Sequence, residues 1–188
     1  MPEIPFPDPP LRAEGIWLRP WMQADVPAIV LGCSDPVVAR FMPAIPSPYT
    51  EHNALAWLDT QEPKRLAGTS LDLAVAEGES GAVLGAVGAV LNNRAMSAHV
   101  GYWITADARG HGHSTAALRL LCGWLFRAFE LGRIELTTDP ENFASQKVAK
   151  RAGFQQEGLL RSHLRRVETG ERRDSLVWGL LPGELTTG

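Results

Sequence analysis

Cysteine is scarce in this chain, with Cys33 and Cys122 alone among 188 residues. The two are far apart, sit in apolar surroundings and form neither a metal-ligand spacing nor a disulfide framework. A reducing, cytoplasmic setting is therefore expected. An excess of charge of one sign is also lacking. The formal net charge is -3, which argues against a nucleic-acid partner. Long hydrophobic runs are absent too. The most apolar stretch, Leu118 to Leu131, is interrupted by Arg119, Arg127 and Glu130, so no membrane partner is expected. The opening Met1-Pro-Glu-Ile-Pro-Phe-Pro-Asp-Pro-Pro10 has neither the basic start nor the apolar centre of a secretory signal. It reads as an extended or flexible arm. No internal repeat is visible. The length suits one domain with its own core, here residues 11–182, followed by a tail at 183–188.

What is present alternates between two periods. Gly15 to Pro20 reads as a strand ending at proline. Asp25 can cap a helix that carries Pro27 in its first turn, and Asp35-Pro-Val-Val-Ala-Arg-Phe-Met42 reads as a second short helix. Pro43 to Pro48 is a loop suited to lining a cleft. Thr50 can cap a helix through Ala54, Leu55, Trp57 and Leu58. Leu71, Leu73 and Val75 then alternate with Asp72, Ala74 and Ala76, as in a strand. Ala82 to Leu91 and Ser97 to Ile104 follow as strands joined at Asn92-Asn93. From Ser114 to Glu130 the period is helical, with Leu118, Leu121, Trp124, Leu125, Ala128 and Phe129 toward one side. Arg133 to Thr138 is a strand, and Asn142 to Ala152 a helix stopped by Gly153. Phe154 to Leu164 and Asp174 to Leu181 close the chain as strands joined through Glu168-Thr-Gly-Glu171. This order implies a mixed α/β sheet with helices on both faces.

The chain is organised around Arg109-Gly-His-Gly-His-Ser114, a basic two-glycine turn between a strand and a helix. The first amides of a helix lack intrahelical partners and sit at the positive end of its dipole. Glycines let a phosphate approach the backbone, and an arginine fork suits phosphate oxygens. In isolation such a turn is as readily a tight connection as an anion site.

This turn resembles the pyrophosphate-binding segment of the GCN5-related N-acetyltransferases (GNAT), whose form is Arg/Gln-x-x-Gly-x-Gly/Ala. Further stretches carry the resemblance in order: Leu18-Arg-Pro with Asp25, Asp35 to Arg40, Gly101-Tyr-Trp-Ile104, Asn142-Phe-Ala-Ser145, Ala152-Gly-Phe154 and Glu157-Gly-Leu-Leu-Arg161. Together they span about residues 11–182 and are most similar to the RimJ/RimL type, which acetylates protein N-termini or related amines. The resemblance implies a mostly antiparallel central sheet of the acyl-CoA N-acyltransferase fold. It also implies acetyl-CoA as co-substrate without a metal, and an amine acceptor that is a small molecule or a protein N-terminus. Relatives are often homodimers.

By the same resemblance, pantetheine would bond the backbone of Trp103, Ile104 and Thr105. Amides of Gly110, His111, Gly112, His113 and Ser114, with Arg109, would take the pyrophosphate, and Asn142 would contact the pantetheine arm. Ser145 would protonate the leaving thiolate. Read locally, Asn142 is a helix cap and Ser145 a helix-start hydroxyl. His99 departs from the pattern, because relatives often carry Glu before Val-Gly-Tyr-Trp, where it is a candidate base. An imidazole can take a proton near neutrality; the plainer reading is a histidine hydrogen-bonded on the sheet. Tyr49, Trp57, Tyr102 and Trp103 can line an acceptor pocket or simply fill the core. The arginines of the terminal hairpin (Arg161, Arg165, Arg166, Arg172 and Arg173) read first as a solvated face. Attack by the amine would be direct, in a ternary complex. The alternatives are another acyl-CoA such as succinyl-CoA, and a non-catalytic acyl-CoA sensor.

Overall fold

A computed structural model describes residues 3–13, 15–78, 81–166 and 169–185. Eight strands form one sheet: β1 (Leu11–Ala13), β2 (Ile16–Arg19), β3 (Ser70–Ala76), β4 (Val83–Asn92), β5 (Ser97–Ile104), β6 (Arg133–Thr138), β7 (Gln155–Arg165) and β8 (Arg172–Leu180). Their order is β1-β2-β3-β4-β5-β6-β8-β7. The pairing of β5 with β6 is parallel and all other neighbours are antiparallel. Six α-helices complete the fold among the described residues: α1 (Val26–Cys33), α2 (Pro36–Phe41), α3 (Glu51–Asp59), α4 (Gln61–Leu66), α5 (His113–Phe129) and α6 (Phe143–Ala152).

The helices cover both faces of the sheet, and each face has its own core. On one side Leu118, Leu121 and Leu125 of α5 meet Leu73, Val87, Val100 and Ile134. On the other, Ile29 and Cys33 of α1 and Ala54 of α3 meet Ala86 and Trp103. A strand buried on both faces carries apolar residues at successive positions, and the run from Leu73 to Ala76 is fully buried in this way.

Several elements depart from the sequence reading. Asp25 does not cap α1. It lies buried against Arg19 in a two-toothed ion pair of 2.7 and 2.9 Å and accepts the Met22 amide. A buried guanidinium demands such a counter-charge, and this demand outweighs capping. The short β1 and α4 were not anticipated, since three residues are too few to show a period and Pro63 interrupts the helical pattern. Ala128 is exposed rather than inward. The turn expected at Glu168 to Glu171 falls partly outside the described residues; its described glycine, Gly170, has φ +72°. The opening arm is tied down at Ile4, which is fully buried. The Ile4 amide donates to the Arg65 carbonyl at 3.0 Å, and Arg65 returns a bond of 2.6 Å to the Ile4 carbonyl.

The feature that positions the site is a divergence of strands. β5 and β6 pair only through Ser97–Arg133, Ala98–Ile134 and His99–Glu135. Beyond His99 the two separate, and the gap lies beside α6 and the start of α5.

Candidate active site

The glycine turn enters α5 with Gly110 and Gly112 both at φ +85°, a left-handed conformation that glycine adopts without steric cost. Gly112 is the residue before the helix, and no side chain caps the first turn. The leading amides of α5 are thus left for an anion. The Arg109 fork, by contrast, is already engaged. It donates to Asp35 at 2.7 Å and to the Ile104 carbonyl at 3.2 Å. Asp35 also accepts the Val37 and Val38 amides as cap of α2. Arg109 therefore fixes the turn against α2 and the end of β5. His111 and His113 stack with ring centres 5.7 Å apart on the turn.

A cleft of about 230 Å³ runs from this turn along the gap, bounded by Trp103, Ile104, Arg109, Gly110, Ser114, Asn142 and Ser145, among others. Thr105 faces away from it. Its amide and hydroxyl both donate to the Leu84 carbonyl, at 2.9 and 3.2 Å. Residues of an antiparallel ladder alternate in the side to which their backbone groups turn. The backbone groups of Trp103, like those of Thr105, therefore turn to β4, while those of Tyr102 and Ile104 turn into the gap. An added-strand contact falls to Tyr102 and Ile104 rather than to Trp103 and Thr105.

Asn142 caps α6 by accepting the Ser145 amide at 3.0 Å. The Ser145 hydroxyl then reaches across the gap to the Tyr102 hydroxyl at 2.8 Å. Burial pushes the Tyr102 phenol up to about 12 against the opposing pull of Ser145, so it remains protonated and able to donate.

A second cavity of about 410 Å³ lies on the α1–α3 side of the sheet. Met42, Tyr102 and Trp103 border both spaces, so the two meet there. Tyr49 and Trp57 line the larger one, as do Ala44, Ile45 and Pro46 of the proline loop. Trp57 and Trp103 are braced by Trp21, edge-on to the first at 5.5 Å and stacked on the second at 6.5 Å. Burial pushes Tyr49 and Cys33 up to about 12 and about 11 respectively.

His99 opens onto this larger cavity. Its Nε2 lies 3.1 Å from the Thr137 hydroxyl, and Nδ1 has no partner among the described residues. Desolvation by its surroundings lowers its pKa from the usual value; His163 adds to this, and Glu135 opposes it. A neutral imidazole holding its proton on Nε2 and donating to Thr137 would leave the Nδ1 lone pair available. Ser145 and His99 thus stand on two linked cavities, bound to opposite walls of one gap.

The hairpin arginines are partly tied to the chain itself. Arg173 pairs with Glu141 at 2.9 Å and Asp139 at 3.3 Å, and Arg166 donates to the Ala39 and Arg40 carbonyls. Thr137 and Asp35 escaped the sequence reading as parts of the site because each acts through a partner distant in the chain. Asp72, which also lines the larger cavity, stands out in the sequence only as a member of an alternating strand. Alternation identifies faces but does not reveal that both are covered.

Parallel strands parting beside a glycine turn at a helix start define the acyl-CoA N-acyltransferase class of fold. The pattern of the family described as "Acetyltransferase (GNAT) domain" matches residues 16–155, and the chain belongs to that family. It is similar to the uncharacterized N-acetyltransferase p20 of Bacillus licheniformis, 28% identical over 155 residues, which cover 81% of this chain and 86% of p20. It is also 32% identical over 76 residues to the Bacillus subtilis (strain 168) protein named Probable N-acetyltransferase YjcK. That match covers 40% of this chain and spans less than half, 42%, of YjcK. Among solved structures, Mycobacterium smegmatis RimJ in complex with CoA-disulfide superposes with a TM-score of 0.82 at 26% identity, over 95% of this chain and 88% of RimJ.

Proposed function

We propose that the protein is an acetyl-CoA-dependent N-acetyltransferase that transfers the acetyl group to a primary amine by direct attack in a ternary complex. The observation that carries this reading is the meeting of two cavities at Met42, Tyr102 and Trp103. One cavity has the shape for an extended thiol-ester arm, and the other for an acceptor. Family membership and the CoA described with RimJ support the choice of donor.

In this reading the pyrophosphate sits on the uncapped start of α5. The pantetheine arm extends along the open side of β5, accepting from and donating to Tyr102 and Ile104 like an added strand. The Ile104 amide faces the thioester oxygen and stabilises the charge that develops there. His99 Nδ1 takes the amine proton, directly or through water, while its Nε2 proton stays on Thr137. The amine nitrogen bonds the carbonyl carbon, the tetrahedral intermediate collapses, and the carbon–sulfur bond breaks. Ser145, backed by the Tyr102 hydroxyl, gives the departing thiolate its proton.

The test is thiol release from acetyl-CoA, measured against a panel of amines and against succinyl-CoA. Acetyl-CoA turnover that requires an amine is the expected result. Release with succinyl-CoA alone would assign a different acyl donor, and tight CoA binding without release under any acceptor would make the chain a sensor.

A further inference from the structure

Asp72 is a charged side chain that neither the fold nor the acetyl-transfer scheme uses. It lies on β3 in register with Gly88 of β4, which is in register with Gly101 of β5. Residues directly opposite in a sheet share a face, so all three face the larger cavity, and all three line it. The two glycines give that cavity a floor without side chains. The Asp72 carboxylate leans over this floor, since a Cβ added at Gly88 would come within 2.0 Å of its Oδ1. Among the described residues it makes no hydrogen bond and no ion pair.

An unpaired carboxylate beside an apolar cavity is costly. Burial pushes Asp72 up to about 6, against a weak opposing pull from Lys64, so at neutral pH it remains largely ionised. A cationic group entering the cavity would supply the counter-charge that Asp72 lacks at close range. Trp57 and Trp103 on the cavity wall add aromatic faces that favour a cation and accept an aliphatic spacer.

The position of Asp72 separates it from the acetyl-transfer step. Ser145 and the strand gap lie beyond β5, while the Asp72 carboxylate, over Gly88 of β4, is still one strand spacing short of β5, roughly 5 Å. An ammonium on Asp72 is therefore not the attacking nitrogen, which must be neutral and at the thioester. We infer that the acceptor carries a second cationic group, held by Asp72, and that an apolar spacer across the Gly88–Gly101 floor joins it to the reacting amine. Diamines with an aliphatic spacer are the substrate class that this arrangement fits. The inference rests on the acetyltransferase reading above.

The experiment compares diaminobutane, diaminohexane and diaminooctane with the monoamines of equal carbon number, in wild type and in Asp72→Asn. The readouts are kcat/KM for thiol release from acetyl-CoA and calorimetric binding of each amine in the presence of CoA. At the best spacer length the wild type should prefer the diamine over its monoamine by at least 10-fold, which corresponds to about 1.4 kcal/mol. In Asp72→Asn that ratio should fall toward one. A thermal melt confirms that the variant folds. A wild type that acetylates both amine types equally, or a ratio that survives in Asp72→Asn, overturns the inference and leaves the acetyltransferase reading intact. If no amine is acetylated, the binding arm decides. Selective diamine binding lost in Asp72→Asn supports the cation site while the acetyl-transfer reading fails, and the absence of selective binding overturns the site as well.

Discussion

The hydroxyls of Tyr102 and Ser145 lie 2.8 Å apart across the gap between β5 and α6. In the proposed reaction they act as one proton-donating unit toward the departing thiolate. Ser145→Ala and Tyr102→Phe should each lower kcat by roughly 10- to 100-fold and leave acetyl-CoA affinity nearly unchanged, since the lost interaction belongs to the late transition state. The double variant should cost less than the product of the two single effects, because each removes the same hydrogen bond. Single-turnover kinetics and calorimetry measure both quantities. An unchanged chemical step in both single variants would leave the pair a purely structural bridge.

CoA binding should depend on the shape of the turn more than on its charge. Gly112→Val places a branched side chain at φ +85° and in the path of the phosphates. It should weaken CoA by at least 10-fold in calorimetry. Arg109→Lys keeps the charge but loses the geometry that reaches Asp35 and the Ile104 carbonyl together. It should weaken CoA clearly as well, although net charge is conserved. Full CoA affinity in Arg109→Lys would mean that the guanidinium's bonds to α2 and β5 do not matter for the turn.

In the proposed reaction His99 should set the acidic side of the pH profile. Its pKa is lowered from 6.5, chiefly by desolvation. The rate should therefore be full at neutral pH and fall as the pH drops through a value below 6.5. His99→Gln should reduce turnover by on the order of 100-fold and remove that limb. An acceptor amine of different pKa serves as the control, because a limb that moves with the amine and persists in His99→Gln belongs to the substrate.

Asp72 should weaken the fold that holds it. Its folded pKa of about 6 exceeds the ordinary value of 3.8. The penalty is therefore present above the folded pKa and fades as the pH falls from about 6 toward 4. At neutral pH it amounts to roughly 3 kcal/mol, a unit of pKa being worth about 1.4 kcal/mol. Asp72→Asn removes the charge but leaves an unpaired amide, which returns part of the gain. The melting temperature at pH 7.5 should rise by a few degrees, on the order of 5 °C at most. The difference should vanish near pH 4. A lower melting temperature for Asp72→Asn at pH 7.5 would mean that the carboxylate has a stabilising partner in solution.

Much of this architecture was legible in the amino-acid order. Alternation marked β3, a small and β-branched apolar run marked β4, Pro36 marked the start of α2, and the caps Thr50 and Asn142 marked the starts of α3 and α6 because a side-chain oxygen facing free amides is a local event. What stayed hidden depends on neighbours distant in the chain. Asp25 looks like a cap until Arg19 is seen to be buried beside it. Arg109 looks like a phosphate fork until Asp35 is found 2.7 Å away. Tyr102 resembles an ordinary core or pocket residue, since nothing local brings it to Ser145. The identity of the backbone groups free to bond pantetheine depends on ladder parity, which requires the register of β4 and β5 and not their sequences alone.

The glycine floor makes acceptor size separable from folding. A Cβ at Gly88 would collide with Asp72, whereas one at Gly101 would meet nothing within 4 Å. Gly101 also keeps a negative φ, so alanine or serine fits its backbone. A single methyl there would take up cavity space over β5 while touching no wall, helix or catalytic hydroxyl. The room over β5 can therefore be trimmed at this one position while the core and the glycine turn stay as they are.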